Sequence, residues 1–192
     1  MTTNWSGQII LILFATNCRK TLYRLKSLPK SVLKLIYNTL IIPHINYCIT
    51  AWGNAHDRYI QRIILLQKRA IRIVVHAPFL AHTKPIFSSL KLLRVNDMYN
   101  FQVGILMYLS HHCLLPKSLL ELFFLNSNVH NYSTRSANNY HLPKSHTAFF
   151  QRTIIYTGPH LWNSLPCAIR NSKSLNIFKS RYKQYLLNTY MQ

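Results

Sequence analysis

Between Asp57 and Val75 the chain reads DRYIQRIILLQKRAIRIVV, and no other stretch constrains its folding as strongly. Wound at about 100° per residue, it places Ile60, Ile63, Ile64, Ile71 and Val74 on one face and Arg58, Arg62, Arg69 and Arg72 on the opposite one. Gln61 and Lys68 lie at the edge of the basic face. Two residues break the pattern: Leu65 falls among the arginines and Gln67 among the isoleucines. The stretch is therefore predicted to be an amphipathic helix with a basic ridge. Asp57 is expected to act as its cap, where unpaired N–H groups attract an anion.

The neighbouring segments give that helix something to pack against. From Asn17 to Leu28, basic and apolar positions alternate at helical spacing up to Pro29. Val32, Leu33, Ile36, Leu40 and Ile41 predict a second amphipathic helix, stopped by Pro43. Ile45 to Trp52 reads as a connector, Gly53-Asn54 as a turn, and Pro78 as the end of the ridge helix. Residues 79–96, with Pro85 to Leu90 and the apolar Leu92, Leu93 and Val95, are expected to form a short helix and turn. A longer one is expected to be capped by Asn96-Asp97, carrying Met98, Phe101, Ile105, Tyr108 and Leu109 to about His112. Another short helix follows Pro116. From Asn126 to Pro143, five asparagines predict an extended linker. Beyond it, Thr153 to Tyr156 reads as a short strand, Gly158-Pro159 as a turn and Leu161-Trp162 as an apolar anchor. Pro166 opens a short helix, and Ser174 caps a last one whose Leu175, Phe178, Tyr182, Tyr185 and Leu186 share a face. The fold class is mainly α. The expected divisions are a poorly placed segment 1–16, a helical domain 17–125, a linker 126–150 and a small carboxyl-terminal strand and helix segment 151–192.

Charge narrows the function. Twenty-three Lys and Arg face only three acids, Asp57, Asp97 and Glu121, for a net +20. Such a surface repels itself and attracts polyanions, chiefly nucleic acid. Two-metal polymerase or nuclease chemistry needs clustered carboxylates, and the three acids lie in three different segments. Paired acid–base hydrolysis of glycosides is equally poorly supplied. The glycines at 7, 53, 104 and 158 form neither a phosphate loop nor a nucleophile elbow. His111-His112 beside Cys113, and His44 before Cys48, each offer two metal ligands without a matched second pair. No cofactor is expected, and catalysis by this chain alone is argued against. Four scattered cysteines, 18, 48, 113 and 167, suggest free, mostly buried thiols in a reducing compartment. The apolar run Ile9–Ala15 is too short to span a membrane and no Lys or Arg precedes it. The expectation is a nuclear or cytoplasmic protein, neither secreted nor membrane-bound.

Binding is what remains. Arg58, Arg62, Lys68, Arg69 and Arg72 are the candidate phosphate contacts, with Lys20, Arg24 and Lys26 as a weaker second cluster, a solvated helix face being the alternative for each. Trp52, Tyr59, Tyr132 and Tyr140 are candidate stacking surfaces for bases, with core packing as the commoner fate of each.

Several strings carry a family likeness. LYRLKSLPKSVLKLIYNTLIIPHINYCITAWGNA and LQKRAIRIV resemble the region downstream of the catalytic palm in reverse transcriptases of jockey-like non-LTR retrotransposons. VHNYSTRSANNYHLPKSHTAFFQRTIIYTGPHLWNSLPCAIRNSKSLNIFKSRYKQYL is similar to their carboxyl end. The telling positions are Tyr47-Cys48, Trp52-Gly53, Arg69-Ala70, Tyr132, Thr134-Arg135, and Gly158-Pro159 leading into Leu161 through Pro166. The resemblance covers about Arg19 to Leu187. It implies a thumb-like helical bundle that grips RNA or an RNA–DNA duplex through its backbone, non-specifically. The family's activity is RNA-directed DNA polymerisation, but its fingers, palm and metal-binding Asp have no counterpart here. The resemblance therefore implies a fragment truncated before the palm, carrying no catalytic residue. A translated transposon relic without function, and a module assembling in trans with a separately encoded palm, are the alternatives.

Overall fold

The computed structural model describes residues 27–129 and 135–190. Segment 1–16, nearly all of the helix expected from Asn17, Cys18, Lys20, Arg24, Lys26, Tyr132 and Thr134 lie outside the described residues. Among those described, the chain is built from helices. Its extended pairing is a single antiparallel bridge, Leu125 to Tyr140. They pack as two compact units. Of the described residues, one takes in those up to Tyr99 together with 186–190 at the end of the last helix, and the other those from Asn100 to Tyr185.

In the first unit, α1 (Lys30–Ile36) starts behind Pro29. It does not stop at Pro43. The backbone widens into a π-turn at Tyr37–Ile41 and resumes as α2 (Ile42–Asn46), with Pro43 in its first turn. Widening relieves the clash between a proline ring and the carbonyl four residues earlier. It also sets the buried stripe, which is Leu33, Tyr37, Ile41 and Ile45, one residue in four. Along an unbroken α-helix those twelve residues would rotate the last side chain by about 120° from the first. One residue absorbed in the π-turn cuts the drift to about 20°. Val32 and Leu40, expected on the apolar face, lie off this stripe and are exposed.

The expected connector, Ile45 to Trp52, takes in the end of α2 and then α3 (Ile49–Trp52), with Cys48 before α3 in a left-handed conformation at φ 49°. The ridge helix α4 (Asp57–Val74) forms as the periodicity predicts. Its cap is His56, whose Nδ1 accepts from the Arg58 amide at 3.3 Å. Asp57 is the first helical residue, not the cap. α5 (Lys84–Leu90) packs against α4. α6 (Val95–His111) begins two residues earlier than Asn96-Asp97 suggests, which draws Asp97 into the structure. The Asp97 carboxylate accepts from Arg94 Nε at 2.8 Å and from the Tyr190 hydroxyl at 2.6 Å.

Gln67, the misfit on the apolar face, holds this unit together. Only 2% exposed, it donates to the Tyr37 hydroxyl and the Leu93 carbonyl, both at 3.0 Å, and accepts from the Val95 amide at 3.0 Å. Hydrogen bonds that replace those to water in this way offset the desolvation of a buried amide.

The second unit has an aromatic core. Tyr108, Tyr140, Trp162, Phe178 and Tyr182 are buried, with Val103, Met107 and Phe123 among them. In chain order the helices of this unit are the later part of α6, then α7 (Lys117–Leu120) and α8 (Asn126–Val129), which bury no side chain, followed by α9 (Ile154–Ser164), α10 (Cys167–Arg170) and α11 (Leu175–Asn188), whose last residues belong to the first unit. Neither the strand at 153–156 nor the turn at Gly158-Pro159 forms. Both segments are taken up by α9 and its cap Thr153, with Pro159 within the helix. Proline forfeits one ladder bond there, but Gly158 permits close packing: a Cβ at that position would sit 2.8 Å from Met107 Sδ. Where an extended linker is expected, Asn126–Val129 form α8, and the described residues from 135 onward are fastened to this unit. Asn163 brackets Tyr140, accepting from its amide at 3.0 Å and donating to its carbonyl at 2.8 Å. Ser174 caps α11 as expected, its Oγ accepting from the Ile177 amide at 3.4 Å.

Candidate nucleic-acid interface

α4 turns its isoleucines inward and its cations outward, because Ile60, Ile63, Ala70, Ile71 and Val74 complete the core of the first unit. Arg58 and Arg62 are exposed; Lys68, Arg69 and Arg72 are half-buried. From Arg58 to Arg72 the basic face runs about 21 Å at 1.5 Å per residue. Leu65, in the middle, stays 50% exposed.

The electrostatics of this face are one-sided. Among the described residues the single ion pair is Arg94–Asp97, so none of the ridge cations is matched by a carboxylate. Arg72 has a structural duty as well. Its Nε donates to the Ala81 carbonyl at 2.9 Å, which ties the segment after the helix back onto the basic face. The helix ends where the Ala77 amide reaches the Arg72 carbonyl at 2.9 Å and the His76 amide reaches Ile73 at 3.1 Å. His76 takes the left-handed position there, at φ 56°.

The stacking candidates fare differently. Tyr140 is buried against Trp162, Phe123 and His111 and cannot serve as a platform for bases. Trp52 is half-buried, with its Nε1 donating to the Tyr47 carbonyl at 2.7 Å, and Tyr59 is half-buried. The aromatic rings that do face solvent include Tyr47, Phe79 and Phe149, none of which the sequence offers as a stacking surface. Phe79 had a readable signal, since it follows a proline at a helix end.

The metal-ligand candidates are engaged otherwise. His44 Nδ1 lies 2.7 Å from the Leu40 carbonyl. The His111 ring packs on Trp162 at 5.4 Å, and burial, followed by the charges of His112 and Arg170, holds its pKa below the usual imidazole range. Among the described residues no three His, Cys, Asp or Glu side chains gather in one place. Cys48, Cys113 and Cys167 are free but exposed, not buried as expected, because each sits at or near a helix end.

No protein-family model, curated protein or solved structure matches this chain. The functional reading therefore rests on the geometry and on the strings themselves. Among the described residues no helix is long and apolar enough to cross a membrane. What the face can do is neutralise a row of phosphates. Guanidinium groups give charge-assisted contacts to them, and displacing condensed counterions drives the association.

Proposed function

We propose that the chain binds nucleic acid without sequence preference through α4, as the thumb-like and carboxyl-terminal part of an RNA-directed DNA polymerase from a jockey-like mobile element. The observation that carries this reading is the row Arg58, Arg62, Lys68 and Arg69, on one helix face and without a carboxylate partner among the described residues. The retroelement-like strings supply the polymer class, an RNA–DNA duplex held by its backbone. Nucleotide addition belongs to a palm, since the Asp97 carboxylate is committed to Arg94 and Tyr190 while Asp57 and Glu121 are exposed on separate helical segments.

Fluorescence anisotropy with a labelled RNA–DNA duplex across a potassium chloride series tests it. The wild-type chain is expected to lose affinity steeply with salt. Replacing Arg58, Arg62, Lys68 and Arg69 together by Ala should lower the log–log slope by about three units, at roughly 0.7–0.9 for each phosphate that is no longer neutralised. Arg72 is left intact in that variant because it anchors Ala81. An unchanged slope would sink the proposal.

A second reading, assembly in trans with a separately encoded palm, draws on the exposed Leu35, Leu40 and Tyr47 of the first unit. Co-purification with such a chain, abolished by changing Leu35 and Leu40 to Ser, is its test.

A further inference from the structure

Just past the ridge, the segment from His76 to Thr83 presents Phe79 and Leu80 to solvent, 70% and 85% exposed. These two consecutive side chains form a small apolar tip on a chain of net charge +20. The tip is also held in place. A turn closes through the Ala81 amide and the Pro78 carbonyl at 3.0 Å, and Arg72 holds the Ala81 carbonyl. The helix-ending bonds at His76 and Ala77 fix one side of the segment, and the Phe87 amide bonding Thr83 at 3.0 Å fixes the other. An exposed ring on an anchored stretch of backbone, next to a row of cations, suits single-stranded nucleic acid, with phosphates on the cations and bases on the ring.

We propose that Phe79 is a stacking surface for an unpaired base, so that the ligand of the ridge is a duplex carrying a single-stranded overhang rather than a blunt duplex. This deepens the nucleic-acid reading and rests on it. The reach is suitable. Phe79 lies two residues from Ala81, at most about 7.6 Å between Cα atoms, and Ala81 is bonded directly to a ridge arginine. That bond uses only the Nε of Arg72, which leaves the two terminal nitrogens of the guanidinium to face a phosphate while the side chain holds the turn.

The experiment uses the full chain and two labelled RNA–DNA duplexes of equal length, one blunt and one with a five-nucleotide overhang. The wild type is expected to favour the overhang by about fivefold or more, the scale of one stacked base. Phe79→Ala should erase that preference while leaving blunt-duplex affinity and its salt slope unchanged, and Phe79→Tyr should retain it. Equal affinity for the two duplexes, or a preference that survives Phe79→Ala, overturns the proposal. Phe79-dependent retention on phosphatidylserine vesicles without an overhang preference overturns it too, and assigns the tip to a lipid surface. The two readings fail separately: a missing salt slope on the blunt duplex removes the ridge itself, whereas a normal slope without overhang preference removes only the role of Phe79.

Discussion

At the scale of single residues, glycine is absent from the ends of α4, α5 and α6. α4, α5 and α6 each finish with the same pair of bonds, an amide reaching back five residues and the one before it reaching back three. The left-handed positions of these ends are His76, Lys91 and Cys113, at φ 56°, 53° and 54°. A side chain in that conformation costs about 1–2 kcal/mol, and glycine is the ordinary occupant. Part of the gain from restoring glycine is cancelled by the freer unfolded chain. Each of His76→Gly, Lys91→Gly and Cys113→Gly is therefore expected to stabilise the protein, by about 0.5–1 kcal/mol, read as a rise in the urea midpoint with unchanged m-value. A fall in the midpoint for all three would show that these side chains make interactions that outweigh the strain.

At the scale of elements, the few glycines have gone to places where helices meet closely. Gly53 lies against the Tyr99 ring, Gly104 against Tyr182 and Gly158 against Met107, none with positive φ. A Cβ on Gly104 would overlap the Tyr182 ring, which stacks on Phe101 at 5.8 Å and whose hydroxyl donates to the Asn100 carbonyl at 3.1 Å. Gly104→Ala gains about 1 kcal/mol of helix propensity against an overpacking penalty of about 1–3 kcal/mol. Net destabilisation is expected in thermal unfolding, with perturbed near-ultraviolet aromatic signals, and a stabilised variant would show that the ring yields freely. The same sparing use of glycine explains what the sequence could and could not reveal. The 3.6-residue pattern of α4 is written in its isoleucines and arginines, and Ser174 before α11 is an ordinary cap, so both were legible. The π-turn before Pro43 was not, because a proline normally marks a stop and nothing local announces a widened turn. Gly158-Pro159 reads as a turn until Met107, about fifty residues away in sequence, shows why a glycine belongs inside that helix. Gln67 reads as a flaw in the apolar face because its partners, Tyr37, Leu93 and Val95, are distant in sequence. Of the candidate interface, the cations were readable from spacing; the exposed ring beside them depended on how Arg72 ties down the turn.

At the scale of the whole molecule, charge sets stability and binding against each other. The ridge cations have no carboxylate partner among the described residues, Arg94 is paired with Asp97, and net charge stands at +20. Self-repulsion of that kind weakens the compact state and is screened over about 10 Å at 0.1 M salt. Raising salt from roughly 0.02 to 0.3 M should therefore raise the melting temperature of the free protein while it weakens binding to the RNA–DNA duplex. The two trends cross if the duplex is present during melting. At low salt the polyanion supplies the missing counter-charge and stabilises the folded form by mass action, so the duplex-induced shift should be largest there and shrink toward zero at about 0.3 M. Hydrophobic burial alone predicts a different pattern, with modest salt effects and no dependence on the duplex. A melting temperature indifferent to both salt and duplex would remove charge from the account of this protein. A broad, non-cooperative transition under every condition would favour the translated relic. A sharp transition that moves upward with duplex at low salt, and loses that movement in the Arg58, Arg62, Lys68 and Arg69 to Ala variant, would tie the stability of the fold to occupancy of α4.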